Sequence, residues 1–217
     1  MSMYFNNFNW AFQLLYPSLV WKKKVTAKEL FLTFDDGPVP NATEFVLEEL
    51  DKWNVKATFF CVGDNVRKYP NLLKEIIQRG HAAGNHTFNH LNGWKNADNY
   101  YLENVELCQA VIEEVRREAG LQQSPAKQLF RPPYGKIRRS QVKELQKSYE
   151  IIMWNVLTGD YDQKLKEEAC LAKAINYSTP GSIVIFHDSI KASKNMKYVL
   201  PRYLEYFLSK GFEFKTL

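Results

Sequence analysis

The sequence is poor in the features that mark several large classes of protein. It has three cysteines in 217 residues, Cys61, Cys108 and Cys170, widely spaced and with no CxxC pair. That argues against a disulfide-stapled scaffold or a thiolate metal site. Each thiol stands beside apolar residues, as buried free cysteines do, and unpaired thiols fit a reducing compartment. No GxGxxG or P-loop follows any apolar run, so the usual nucleotide-binding fingerprints are missing. The net charge is only +5, with short cationic clusters at Lys22–Lys24 and Arg138–Arg139. Without a basic stripe interleaved with aromatics, no nucleic-acid partner is expected.

No apolar run reaches the ~20 residues that a membrane-spanning helix needs. The nearest approach, FNWAFQLLYPSLVW at 8–21, is interrupted by Asn9, Gln13, Pro17 and Ser18. It has no basic residue before it and no small-residue cleavage site after it, so it makes a poor signal peptide. It reads as part of an N-terminal segment, residues 1–28, packed on a domain spanning 29–217. Peripheral contact of 8–21 with a membrane surface is the alternative. A cytoplasmic or peripheral location is the corresponding expectation. The oligomeric state is not legible.

What the sequence does have is a regular alternation of elements, with no linker, repeat or low-complexity stretch dividing it. Short apolar runs fall at Leu30–Phe34, Ala57–Val62, His81–Asn85, Gln128–Phe130, Ile151–Val156, Ile183–Phe186 and Phe212–Phe214. Most are apolar throughout, which suits strands of a parallel sheet buried on both faces. Helical patterns lie between them. NATE at 41–44 resembles a capping box, with Asn41 as N-cap and Glu44 at N3, and Val46, Leu50 and Trp53 then mark an inward face. Pro70 opens the next helix and Gly80 stops it. Val105, Cys108, Val111, Ile112 and Val115 form a third stripe. Further helices are expected over 138–148, 164–177 and 196–210, with Pro201 as a late start or a kink. The class is therefore α/β: a β/α barrel or an open doubly wound sheet.

Either architecture places a functional site at the carboxyl ends of the strands. The polar clusters fall there. Asp35 and Asp36 follow the first run, HTFNH (86–90) the third, RPPYG (131–135) the fourth, GDYD (159–162) the fifth, and FHDS (186–189) ends the sixth. Three of the four histidines, His86, His90 and His187, sit at such ends. His86 and His90 are four apart and can present two imidazoles to one cation. With one carboxylate they form the ligand set of a catalytic zinc-type site with an open position. If Asp36 is that ligand, Asp35 is the natural base, oriented by Arg131. His187 is the natural acid, with Asp160 to hold its ring and raise its pKa.

Together these blocks resemble the polysaccharide deacetylase family, carbohydrate esterase family 4. TFDDGP (33–38), HTFNH, RPPYG, WNVLTGDYD (154–162) and IVIFHD (183–188) follow the family's order over residues 30–217. The resemblance implies a single-domain, distorted (β/α) barrel of about seven parallel strands with surrounding helices. It implies metal-dependent hydrolysis of N-acetyl groups on an N-acetylglucosamine-containing glycan or oligosaccharide. One divalent ion, zinc first and cobalt or nickel as alternatives, would be held by Asp36, His86 and His90. Asp35 would be the base, Arg131 its orienting partner, and His187, tethered by Asp160, the acid. The backbone N–H of Tyr134 would help bind the oxyanion, and Ile185 would line the acetyl pocket. Tyr161 stands where the family commonly carries Trp, which bears on the pocket's size. An O-acetyl esterase or small-molecule amidohydrolase would share this chemistry. A non-catalytic carbohydrate-binding protein would be expected to lack a ligand or the base, and neither is missing.

Overall fold

The computed structural model describes residues 13–120 and 127–217. Among the described residues eight strands are formed: β1 (Glu29–Asp35), β2 (Thr58–Cys61), β3 (Ala82–Asn85), β4 (Gln128–Phe130), β5 (Tyr149–Ile151), β6 (Val156–Leu157), β7 (Ile183–His187) and β8 (Glu213–Lys215). Seven run side by side in the order β5-β4-β3-β2-β1-β7-β6, and β8 pairs with the start of β1. Every pairing between strands is parallel.

The strand expected over Ile151–Val156 is not one strand. It is β5 and β6, which lie at opposite ends of the strand order. At the break, Met153 N–H donates to Val20 O (2.7 Å), and the carbonyls of Ile152 and Met153 accept from the Arg131 side chain. The chain there is recruited by partners outside the sheet. The consequence is global. Residues 152–155 join the first and last strands, and such a link spans at most roughly 18 Å. A flat sheet would hold those strands about 29 Å apart. The sheet must therefore curl, and the result is a half-barrel of seven parallel strands within a single domain.

Period-two alternation divides β1 between two environments. Leu30, Leu32 and Phe34 face the helical layer, where they join Val46, Leu50, Phe59, Phe186, Val199 and Tyr203. Phe31 faces the inside of the curl with Phe60, Ile152 and Ile183. Thr33 and Asp35 share that inner face. A third cluster packs Leu19 and Trp21 against Phe130, Tyr149, Ile151 and Met153. Leu19 and Trp21 are thus in the core, whereas Leu14 and Leu15 are exposed, and residues 1–12, and with them part of the 8–21 stretch, lie outside the described region. Among the described residues, no helix is long and apolar enough to cross a membrane. Cys61, Cys108 and Cys170 are free and buried.

The α-helices that lie wholly within the described residues are α1 (Thr43–Lys52), α2 (Gly63–Lys68), α3 (Pro70–Gln78), α4 (Asp98–Glu118), α5 (Arg139–Leu145), α6 (Glu167–Tyr177) and α7 (Ser193–Ser209). Pro70 does open α3, and Gly80 (φ +81°) takes the left-handed position that ends it. The capping box at 41–44 is half formed. Glu44 Oε2 accepts from Asn41 N–H at 2.8 Å, but Ala42 is the N-cap, because Asn41 is itself left-handed (φ +65°). Trp53 lies beyond α1 and is exposed rather than inward. α5 is shorter than expected. α7 starts earlier than expected and carries Pro201 inside it.

Candidate active site

Asp35 ends β1 with 4% of its surface exposed. In parallel register it stands beside His187, the last residue of β7. Arg131 enters the curl from the end of β4 and is completely buried. Its Nη1 donates to Thr33 Oγ1 (2.7 Å) and Asp35 Oδ1 (2.6 Å), while Nε and Nη2 donate to Ile152 O and Met153 O. The guanidinium carbon lies 4.1 Å from the Phe60 ring centroid. One fork meets both Thr33 and Asp35 because residues two apart on a strand share a face. A buried charge is tolerated only when paired and hydrogen-bonded, and Arg131 meets both conditions.

Asp36 could not face the same site if β1 simply continued. It does not, since Asp36 adopts φ +81° and leaves the strand. Its Oδ1 lies 3.1 Å from His90 Nε2 and 3.8 Å from His86 Nε2. One donor atom from each of Asp36, His86 and His90 falls within 4.8 Å of the others. His86 Nδ1 donates to Arg131 O at 2.7 Å, which leaves Nε2 as the lone-pair nitrogen facing Asp36. Burial pushes His86 down to about 4, so it is neutral at pH 7. Burial also works to raise Asp36, but the hydrogen bond from His90 and the histidine charges outweigh it and hold the carboxylate well below its usual range. His90 Nδ1 meets the Tyr134 hydroxyl at 3.0 Å. Two imidazoles and an ionised carboxylate, converging on one point, fit a divalent cation.

Four non-glycine residues around this point have positive φ: Asp36, Thr87 (+61°), His90 (+55°) and Tyr134 (+61°). Thr87 is β-branched, for which this is a true outlier. Such conformations cost roughly 1–3 kcal/mol each and persist only when the surroundings enforce them. Those around Thr87 do: its N–H donates to Asn85 Oδ1 (2.9 Å), its carbonyl accepts from Gly63, and its hydroxyl accepts from Leu91 N–H (2.9 Å).

Asp160, 1% exposed, grips His187 twice: Oδ2 accepts from His187 N–H and Oδ1 from Nδ1, both at 2.7 Å. Burial works to lower His187, but the charge and hydrogen bond of Asp160 win and raise it to about 9. The Tyr161 and His187 rings meet in a T-shaped arrangement, with centroids 5.0 Å apart. Ile185 is buried on the same face of β7, two residues before His187. Tyr134 is 60% exposed. The ten residues singled out in the sequence thus lie around one mouth of the curl.

Three others were not singled out. Asp188 is 1% exposed, and burial pushes its carboxyl up to about 8. Its Oδ1 accepts from Gly37 N–H (3.0 Å), its Oδ2 from Thr43 Oγ1 (2.6 Å), and its N–H donates to Asp35 O (3.1 Å). It therefore grips the residues on both sides of Asp36. Asn65 Nδ2 donates to Asp36 O at 2.8 Å. Thr33 supplies the second acceptor for Arg131. The available signal for Asp188 was an acid directly after an apolar strand, in FHDS. Thr33 opens TFDDGP and lies two residues before Asp35, whereas Asn65 carries none.

A family model described as Polysaccharide deacetylase matches residues 22–152. A peptidoglycan-N-acetylglucosamine deacetylase of Bacillus cereus is 35% identical over 162 residues, 74% of this chain and 56% of that protein. The peptidoglycan-N-acetylglucosamine deacetylase PgdA of Listeria monocytogenes is 32% identical over 196 residues, 90% of this chain and 39% of that protein. The chain therefore spans about half or less of the length of these curated relatives. A crystal structure of a peptidoglycan N-acetylglucosamine deacetylase in complex with a naphthalenyl-N-oxidanyl-benzamide superposes with a TM-score of 0.85 at 29% identity, covering 95% of this chain and 94% of that one.

Proposed function

The chain belongs to the polysaccharide deacetylase family, and from that premise we propose that it is a metal-dependent hydrolase that removes N-acetyl groups from an N-acetylglucosamine-containing glycan. The observation that carries the reading is the meeting, at one mouth of the curl, of three separately wired units. These are the Asp36–His86–His90 donor set, the Asp35–Arg131 pair and the His187–Asp160 pair.

Asp36, His86 and His90 would hold the cation, with zinc favoured by two imidazoles and one carboxylate, and cobalt or nickel as alternatives. A divalent ion there would lower the pKa of water and polarise the acetyl carbonyl. Asp35 takes the water proton. Its Oδ1 is committed to Arg131, which leaves Oδ2 to receive it. Arg131 is locked by four acceptors and so fixes that carboxylate in place. The Tyr134 N–H contributes to oxyanion binding from a left-handed turn. His187 is protonated at pH 7, with Nδ1 held by Asp160, so Nε2 delivers the proton to the departing amine. Ile185 and Tyr161 bound the acetyl group. Tyr134 and Trp94, 60% and 43% exposed, offer flat aromatic surfaces to sugar rings.

Acetate release from N-acetylglucosamine oligomers and from peptidoglycan, with added zinc or cobalt and with a chelator control, tests the proposal. Metal-dependent acetate from either supports it. Acetate only from acetylated xylan would replace it with an O-acetyl esterase. Glycan binding without any hydrolysis would replace it with a binding protein.

A further inference from the structure

We propose that Tyr161 and Lys191 form an anion-binding subsite beside His187, and that the preferred substrate is a glycan bearing a carboxylate within one sugar of the acetamide that reacts. The inference rests on the deacetylase reading and narrows its substrate class.

The two residues come from different loops and meet at the acid. Tyr161 follows Asp160, and its N–H donates to Asp160 Oδ1 at 3.0 Å. Its ring lies against His187, and on the loop after β7 Lys191 places its ammonium 5.7 Å from the centre of the same ring. The ammonium and the imidazole thus both adjoin one aromatic ring. A buried side chain fixes this meeting of loops. Asn195, 2% exposed and in the first turn of α7, donates its amide to Asp162 O (3.1 Å) and Leu165 O (3.3 Å). That ties the loop of Tyr161 to the helix that begins two residues after Lys191.

Lys191 is unlike the lysine next along. Lys194 reaches Glu167 at 3.9 Å, whereas Lys191 is exposed and makes no ion pair among the described residues. Nor are the acids of the site available to it. Asp160 is committed to His187 and Asp35 to Arg131. An ammonium over an aromatic face turns N–H toward the ring but, with three donors, keeps others free for an acceptor. Together with the Tyr161 hydroxyl, the ammonium offers a charge and a neutral donor, a combination that suits a carboxylate better than a sugar hydroxyl. A neutral N-acetylated oligomer cannot use the charge. A glycan with lactyl or uronic carboxylates can.

The test compares one muramyl glycan in two forms, with its carboxylates free and with them converted to methyl amides, by acetate release at low and high salt. Wild-type protein should prefer the free-acid form by about threefold to fivefold in kcat/KM, the effect of one solvent-exposed ion pair. The preference should lie mainly in KM and shrink at high salt. Lys191→Gln should bring the ratio toward one, Lys191→Arg should keep it, and Tyr161→Phe should lower it in part. Equal rates on the two forms by the wild type, or a preference that survives in Lys191→Gln, would overturn the inference while leaving deacetylation intact. No acetate from either form would overturn the deacetylase reading and this inference with it.

Discussion

Replacing Arg131 by methionine strands a carboxylate inside the protein. Methionine keeps much of the side chain's length and its contact with Phe60, so packing loss is limited. What disappears is the partner of Asp35, at 2.6 Å, together with the donors to Thr33 Oγ1, Ile152 O and Met153 O. Arg131 is completely buried and Asp35 nearly so, which leaves water little chance to replace what is lost. Removing one member of a buried ion pair costs about 3–5 kcal/mol. At roughly 2–4 °C per kcal/mol for a chain of this size, the melting temperature should fall by about 6 °C at the least. The second variant isolates the cause. Arg131→Met combined with Asp35→Asn removes the stranded charge and should recover about 2 kcal/mol relative to Arg131→Met alone, a coupling of the size expected for contacting residues. Urea unfolding of the wild type, both single variants and the double variant reads all of this. If Arg131→Met cost less than about 1 kcal/mol, or Asp35→Asn recovered nothing, the pair would not be the buried unit described.

Asp36→Ala and His86→Ala should each abolish tight zinc binding, measured by competition with a chromogenic chelator, while leaving the fold intact by circular dichroism. His187 is raised to about 9, so activity that needs its proton should decline as pH rises through about 9. Asp160→Asn should move that limb toward 6.5 in a kcat–pH profile. The same shift bears on stability with a definite sign. A raised histidine contributes stability that is fully present below its unfolded value, near 6.5, and that is lost as pH rises through about 9. Asp188→Ala frees Gly37 and Thr43 without touching a ligand. It should weaken zinc binding by about 10–100-fold, as loss of an outer support does, and unchanged affinity would show that Asp188 merely fills space.

The parts of this fold that were legible came from local physics. Apolar strand cores, Pro70, Gly80 and the stripe of α4 each carry their signal within a few residues. The grouping of the candidate site residues was legible for a related reason. A parallel sheet puts its strand ends on one rim, so TFDDGP, HTFNH, RPPYG and FHDS could be placed together before any contact was known. What stayed hidden was set by distant partners. The run Ile151–Val156 looks like one strand, and only Arg131 and Val20, far away in sequence, divide it. Asn41 has the composition of an N-cap but turns left-handed, so the helix begins later. Asp188 reads as an ordinary polar residue at a strand end until Gly37 and Thr43, about 150 residues earlier, are seen to donate to it. The adjacent acids of TFDDGP could be assigned to one rim from their place at the strand end, although alternation sends neighbouring strand residues to opposite faces. What the sequence could not show was the +81° φ by which Asp36 leaves the strand.

The central claim is that these two acids divide the work, Asp36 holding the cation and Asp35 moving the proton. The most direct measurement is acetate release from an N-acetylated glycan by zinc-loaded wild type and zinc-loaded Asp35→Asn, with zinc occupancy measured in both. Equal occupancy with turnover reduced by about 10²–10⁴-fold in the variant is the predicted result, the range expected for loss of a general base. Near-full turnover by Asp35→Asn at equal occupancy would contradict the account.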